Sequence, residues 1–187
     1  MITLEKPYSV RKSGIENEGI SFGIKKDGLA HIFNVLRNQL YSNKILAVIR
    51  EYSCNAYDAM VEAGTSDQKF VVTCPTFDDP CFKVRDFGSG LSPEGIAEVY
   101  AYYGESTKRQ SNAFIGQLGL GSKSGFAYGD NFVIKSFYRG TLYTYNAYLD
   151  ETKIGQILLM DEEATSENDG VEIVIPVKVR DISTFKE

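Results

Sequence analysis

At 187 residues the chain is just over one domain long by the usual rule of about 150 residues each, and 43% hydrophobic and 24% charged residues suit an ordinary globular core. Acidic residues outnumber basic ones by 25 to 20, a net charge of −5 that argues against a domain built to coat nucleic acid. One histidine and three cysteines without close pairing, Cys54, Cys74 and Cys81, leave too little for a zinc centre of the usual kind. With no apolar run of membrane-spanning length and no basic-then-apolar start, a cytoplasmic chain with reduced thiols is expected.

Residues 1–19 show little periodicity and read as an arm; residues 20–187 read as the domain. Ile20–Ile24 alternates like a short strand, and Asp27 can cap a helix with Leu29, Ile32, Phe33, Leu36 and Leu40 on one face. His31 falls in that stretch and reads as an accommodated histidine. A second helix is predicted from about Ser42 or Asn43 to Ala63, closed by Gly64. Phe70–Cys74 and Cys81–Asp86 form a predicted hairpin. Ser92-Pro93-Glu94 starts a helix fading near Tyr103, and the polar, glycine-bearing run from Gly104 to Gly121 has the length of a functional loop. A short helix follows at Ser122–Tyr128, then four strands at Asn131–Tyr138, Thr141–Leu149, Lys153–Met160 and Gly170–Val179. The expected fold class is α/β: a two-layer sandwich of a mixed, largely antiparallel sheet with helices on one face.

Three clusters carry the candidate chemistry. On the second helix, 100° per residue puts Glu51, Asn55 and Asp58 on one narrow face of an otherwise apolar segment, a pattern open both to a cavity lining and to a solvated stripe. Asp86-Phe87-Gly88-Ser89-Gly90-Leu91 ends a strand with a carboxylate and two glycines. There the chain can turn sharply while the acid faces a ligand edge such as an exocyclic amine. Gly116-Gln117-Leu118-Gly119-Leu120-Gly121-Ser122-Lys123-Ser124 opens a helix and offers backbone N–H groups to a phosphate, without matching the phosphate-loop or dinucleotide fingerprints. Nine of the 17 glycines lie between Gly88 and Gly129. That clustering favours close backbone approach to a ligand.

The order Glu-x-x-x-Asn-x-x-Asp, Asp-x-Gly-x-Gly and Gly-x-x-Gly-x-Gly, each separated by about 30 residues, resembles the GHKL ATPases, whose members include gyrase B, the heat-shock chaperone ATPase, histidine kinases and MutL. Within that superfamily, Lys44–Asp58 together with Phe114-Ile115-Gly116 and Gly119–Ser124 looks like the phage rapid-lysis rIIA-type proteins. The resemblance runs from about Ile20 to Val179 and implies the Bergerat ATP-binding fold, with ATP and Mg²⁺ as ligands. It implies Glu51 as the base that activates water, Asn55 as the Mg²⁺ ligand, and Asp86 as acceptor for the adenine amine. Asp58 and Ala59 then floor the base pocket, while Gly88, Gly90 and Leu91 shape its wall. Gly116, Gly119, Leu120 and Gly121 supply the lid hinge and phosphate-facing amides, with Ser122 and Lys123 adjacent, and Ser106 and Lys108 ride on the lid. Val171 stands where the family carries threonine and Glu62 where the chaperones often carry lysine, so those two contacts differ here. The resemblance further implies slow ATP hydrolysis without a following domain, an ATP-dependent homodimer through the arm, an unidentified protein partner and, for a phage chain, the bacterial cytoplasm. A nucleotide-gated interaction module that binds ATP without useful hydrolysis is the alternative.

Overall fold

The computed structural model describes residues 41–101 and 121–187. The arm, the strand expected at Ile20–Ile24, the helix expected after Asp27 and all but the last residue of the loop expected from Gly104 to Gly121 lie outside the described residues. Helix α1 spans Lys44–Ala63. Asn43 caps it by accepting from the Leu46 N–H at 3.0 Å, and Gly64 closes it at φ 72° with its N–H on the carbonyls of Met60 and Val61. Both ends therefore fall where the capping residues placed them. Val48, Tyr52, Ala56 and Met60 recur every four residues and are buried, giving the helix one packing face.

The strands are β1 (Val71–Thr73), β2 (Cys81–Arg85), β3 (Asn131–Tyr138), β4 (Thr141–Leu149), β5 (Gly155–Ala164) and β6 (Gly170–Pro176). They form one sheet in the order β1-β2-β6-β3-β4-β5. Among the described residues every ladder is antiparallel, in keeping with the largely antiparallel sheet expected. Arg139 at φ 51° and Gly140 at φ 79° join β3 to β4 through the doubly left-handed two-residue loop that suits a twisted hairpin. Alternation along the strands sends Phe132, Ile134, Tyr145, Ala147, Ile173 and Ile175 into the core that α1 covers.

The bounds of β5 and β6 differ most from the sequence expectation. β5 begins at Gly155 because Asp150 Oδ1 gathers the N–H groups of Thr152 and Ile154 at 2.8 and 3.1 Å, and Lys153 turns left-handed at φ 63°. The strand then runs on through Asp161–Ala164, since the ladder with Thr141–Thr144 continues past a register shift. β6 stops at Pro176, which has no N–H for the next rung. The two later helical segments change type along their length. Helix α2 (Pro93–Ile96), capped by Ser92, passes into a π-turn at Ala97–Ala101. A 3₁₀ turn at Gly121–Lys123 precedes helix α3 (Gly125–Tyr128).

Candidate functional site

The break between that 3₁₀ turn and α3 has an identifiable cause. The Tyr52 hydroxyl, fully buried beneath α1, donates to the Ser122 carbonyl at 3.0 Å and accepts from the Gly125 N–H at 3.0 Å. These backbone groups are drawn out of a continuous helical ladder and tied to α1. With α3 a single turn long, it carries little of the macrodipole that the expected longer helix would have aimed at an anion. Any attraction for phosphate here comes from individual backbone amides.

Glu51 faces Gly121 across this junction. A Cβ on Gly121 would stand 3.0 Å from Glu51 Oε2, so the glycine is what leaves room for the carboxylate. Arg50 Nη2 donates to Glu51 Oε1 at 2.7 Å, and this bond raises the Arg50 pKa. Tyr41 lies just before α1 and is buried. Its hydroxyl is buried with no hydrogen-bond partner among the described residues, and burial, together with the negative charge of Glu51, pushes its pKa up to about 12. Asn55, Asp58 and Ala59 are half-buried further along α1.

The C-terminal half of α1 meets the loop after β2. A Cβ on Gly88 would lie 3.0 Å from the Ala59 carbonyl oxygen, and Thr65 Oγ1 donates to the Phe87 carbonyl at 2.8 Å. Gly90 sits at φ 66° with its hypothetical Cβ 2.1 Å from the Phe137 carbonyl oxygen, a position closed to any side chain. Leu91 is pinned from β3: its N–H donates to Ser136 Oγ at 2.8 Å, and the same hydroxyl donates back to the Leu91 carbonyl at 2.8 Å. Ser136, like Tyr52, sits in a run that the sequence marks only as an element, with no local signal of its distant partner.

Asp86 is the best-defined group. Its Oδ1 accepts from the N–H groups of Gly88 at 2.9 Å and Val171 at 3.1 Å, while the Asp86 N–H donates to the Val171 carbonyl at 2.9 Å. Among the described residues no donor reaches Oδ2. Burial pushes the Asp86 pKa up against the lowering effect of the two backbone bonds. Arg85 braces the loop from the other side, with its guanidinium 4.0 Å from the Phe137 ring centroid and 4.9 Å from that of Phe87, and bonded to the carbonyls of Asp86 and Asn168. Val171, read as a lost threonine contact, supplies its backbone N–H to the carboxylate.

Thus Glu51 meets Gly121, Ala59 meets Gly88, and Asp86 meets Val171. Ser122 and Lys123 both donate to the Val99 carbonyl at 3.2 Å, which places them against the π-turn. Lys123 is almost completely buried, and desolvation lowers its pKa to about 8. Ser106, Lys108, Gly116, Gly119 and Leu120 lie outside the described residues. Among the described residues no cluster of three or more His, Cys, Asp or Glu side chains could cage a metal. A Mg²⁺ ion beside Asn55 would therefore take most of its ligands from phosphate and water, its ordinary mode of binding. No described helix is long and apolar enough to cross a membrane. The chain matches no protein-family model and no curated protein.

Proposed function

We propose that the chain is a nucleotide-binding domain of the GHKL kind, with the Bergerat arrangement of helices on an antiparallel sheet, that binds ATP with Mg²⁺ and hydrolyses it slowly. The observation that carries this reading is Asp86: a buried carboxylate with one oxygen fixed by two backbone N–H groups and the other without a donor among the described residues. Such a group recognises a donor pair on a planar base by direction, because it cannot rotate away. The steric closure at Gly88 and Gly90 leaves the loop backbone close to α1 and β3, which suits a flat ring sliding past it.

Glu51 is the group suited to hold the proton of an attacking water. As the water oxygen bonds to the γ-phosphorus and the bridging bond to ADP breaks, the proton passes to the carboxylate. Mg²⁺, when bound, neutralises phosphate charge. Arg50 orients Glu51 by donating to one of its two carboxylate oxygens. With one oxygen held by Arg50, a single Glu51 oxygen is left for water, which supports slow turnover and the alternative, nucleotide-gated binding without useful hydrolysis. The lid state is then what a second copy of the chain or another protein partner reads.

The test is phosphate release measured beside ATP affinity. Glu51→Ala is expected to keep ATP binding and lose turnover. Turnover unchanged in that variant would remove Glu51 from the mechanism, and binding without phosphate release in the wild type would establish the gated module.

A further inference from the structure

The outer edge of β5 is open. Among the described residues no strand pairs with it, and Leu158, Leu159 and Met160 are 52%, 45% and 60% exposed along it. An unpaired edge is a template for another chain, and natural strands guard it with bulges and charges. In β5 both devices stand at the C-terminal end. Met160 is an extra residue between the rung of Tyr145 with Leu159 and the rung of Thr144 with Asp161, and the exposed Asp161, Glu162 and Glu163 follow it. Gly155–Leu159 carries neither charge nor proline.

The direction of each backbone group on this stretch follows from β4. Leu149 donates its N–H to the Asp130 carbonyl at 2.9 Å, on the β3 side, whereas Asp150 donates to the Ile154 carbonyl at 3.0 Å, on the β5 side. Backbone groups alternate in side along a strand, so Tyr148 and Asn146 bond to their opposite residues, Gln156 and Leu158. The N–H and C=O groups of Gly155, Ile157 and Leu159 therefore point outward from the sheet.

We infer that this edge binds a second copy of the chain: Gly155–Leu159 pairs antiparallel with itself about a two-fold axis at Ile157. In that register Ile157 faces Ile157 and Gly155 faces Leu159, so the outward groups of both copies bond one another. Leu159 then lies beside Gly155 of the second copy, where no side chain opposes it. A register centred on Leu158 would instead set Gly155 against Asp161, whose backbone bonds to β4. Charge selects the same arrangement. Antiparallel pairing carries the two acidic runs to opposite ends and brings Asp161 of each copy alongside Lys153 of the other. None of Lys153, Asp161, Glu162 and Glu163 has an ion pair among the described residues. Glu151 lies off the line of the strand, inside the turn that the Lys153 N–H closes on the Asp150 carbonyl at 2.9 Å. Parallel pairing in register would stack acid on acid. Gly155, Ile157 and Leu159 also line a cavity of about 560 Å³ under the α2 segment, so Leu159 of the second copy joins its rim. The inference does not rest on the nucleotide reading.

Sedimentation velocity of the full chain without nucleotide, across micromolar concentrations at low salt, tests the edge. The wild type is expected to pass from monomer to dimer as concentration rises. Lys153→Asp and Asp161→Lys each set like charges at both ends of the pairing and should weaken the dimer about five-fold, and the two together should restore it. Leu159→Pro removes an outward N–H while leaving the ladder to β4, and should abolish the dimer. Asp86→Asn should leave association unchanged. A monomer at every concentration, a dimer that forms only with ATP, single reversals without effect, or a double variant as weak as the singles would each overturn the inference. The wild-type series and the charge pair decide it even where Leu159→Pro fails to fold.

Discussion

Replacing Tyr52 with phenylalanine removes a single oxygen from the most enclosed part of α1. That oxygen holds the Ser122 carbonyl and the Gly125 N–H, both at 3.0 Å, so the substitution strands one acceptor and one donor where water has little access. A buried group left unsatisfied costs about 1–3 kcal/mol. Two such groups, partly relieved by local relaxation, give a destabilisation of about 3 kcal/mol. For a chain of this size each kcal/mol shifts Tm by about 2–4 °C, so Tm should fall by about 6–12 °C. Urea unfolding followed by far-ultraviolet circular dichroism reads the change at constant m-value. Tyr145→Phe is the matched control, since it deletes a buried hydroxyl that makes no hydrogen bond among the described residues, and it should be neutral or slightly stabilising. A loss below about 0.5 kcal/mol for Tyr52→Phe, or equal losses for the two variants, would refute the claim that Tyr52 breaks the 121–128 segment into its two turns.

Gly90→Ala forces a left-handed backbone and a Cβ 2.1 Å from the Phe137 carbonyl oxygen. It should cost more than about 3 kcal/mol in urea unfolding, and a smaller loss would mean the loop can move off β3. Lys123→Met should change the pH dependence of stability. The unfolded chain keeps the lysine proton up to about 10.5, the folded one only up to about 8, so between these values unfolding takes up a proton and wild-type stability rises with pH. That rise should be missing from the variant in paired denaturation series, and parallel curves would remove the buried charge from the account. Because burial raises the Asp86 pKa, acidification should protonate it and weaken nucleotide binding at a higher pH than an exposed aspartate would. Asp86→Asn should abolish that dependence, as followed by nucleotide affinity against pH.

Local signals account for what was legible in the sequence. Asn43 and Gly64 act within one turn of the helix they bound, so α1 could be read to within a residue or two at its start and at Gly64 for its end. The alternating runs of β3 and β4 and the pair Arg139-Gly140 likewise carry their own instructions. β5 was misplaced because its start depends on Asp150 gathering amides and its end on a ladder with a strand that no local pattern names. In the site, the polar face of α1 and the glycines after Asp86 were visible as patterns. The contacts that hold them come from Tyr52 to Ser122, Thr65 to Phe87 and Leu91 to Ser136, pairs 22 to 70 residues apart in which neither residue type announces the other. Val171 shows the same limit: its side chain suggested a missing contact, whereas its backbone supplies one.

The central claim is that Asp86 anchors an adenine nucleotide. Isothermal titration of the wild-type chain and Asp86→Asn with a nonhydrolysable ATP analogue and Mg²⁺ tests it most directly. Asn keeps the shape, but its amide donates where the carboxylate can only accept. Saturable one-site binding by the wild type and a loss of ten-fold or more in the variant, about 1.4 kcal/mol, is the result the account predicts. Equal affinities, or no binding by either protein, would contradict it.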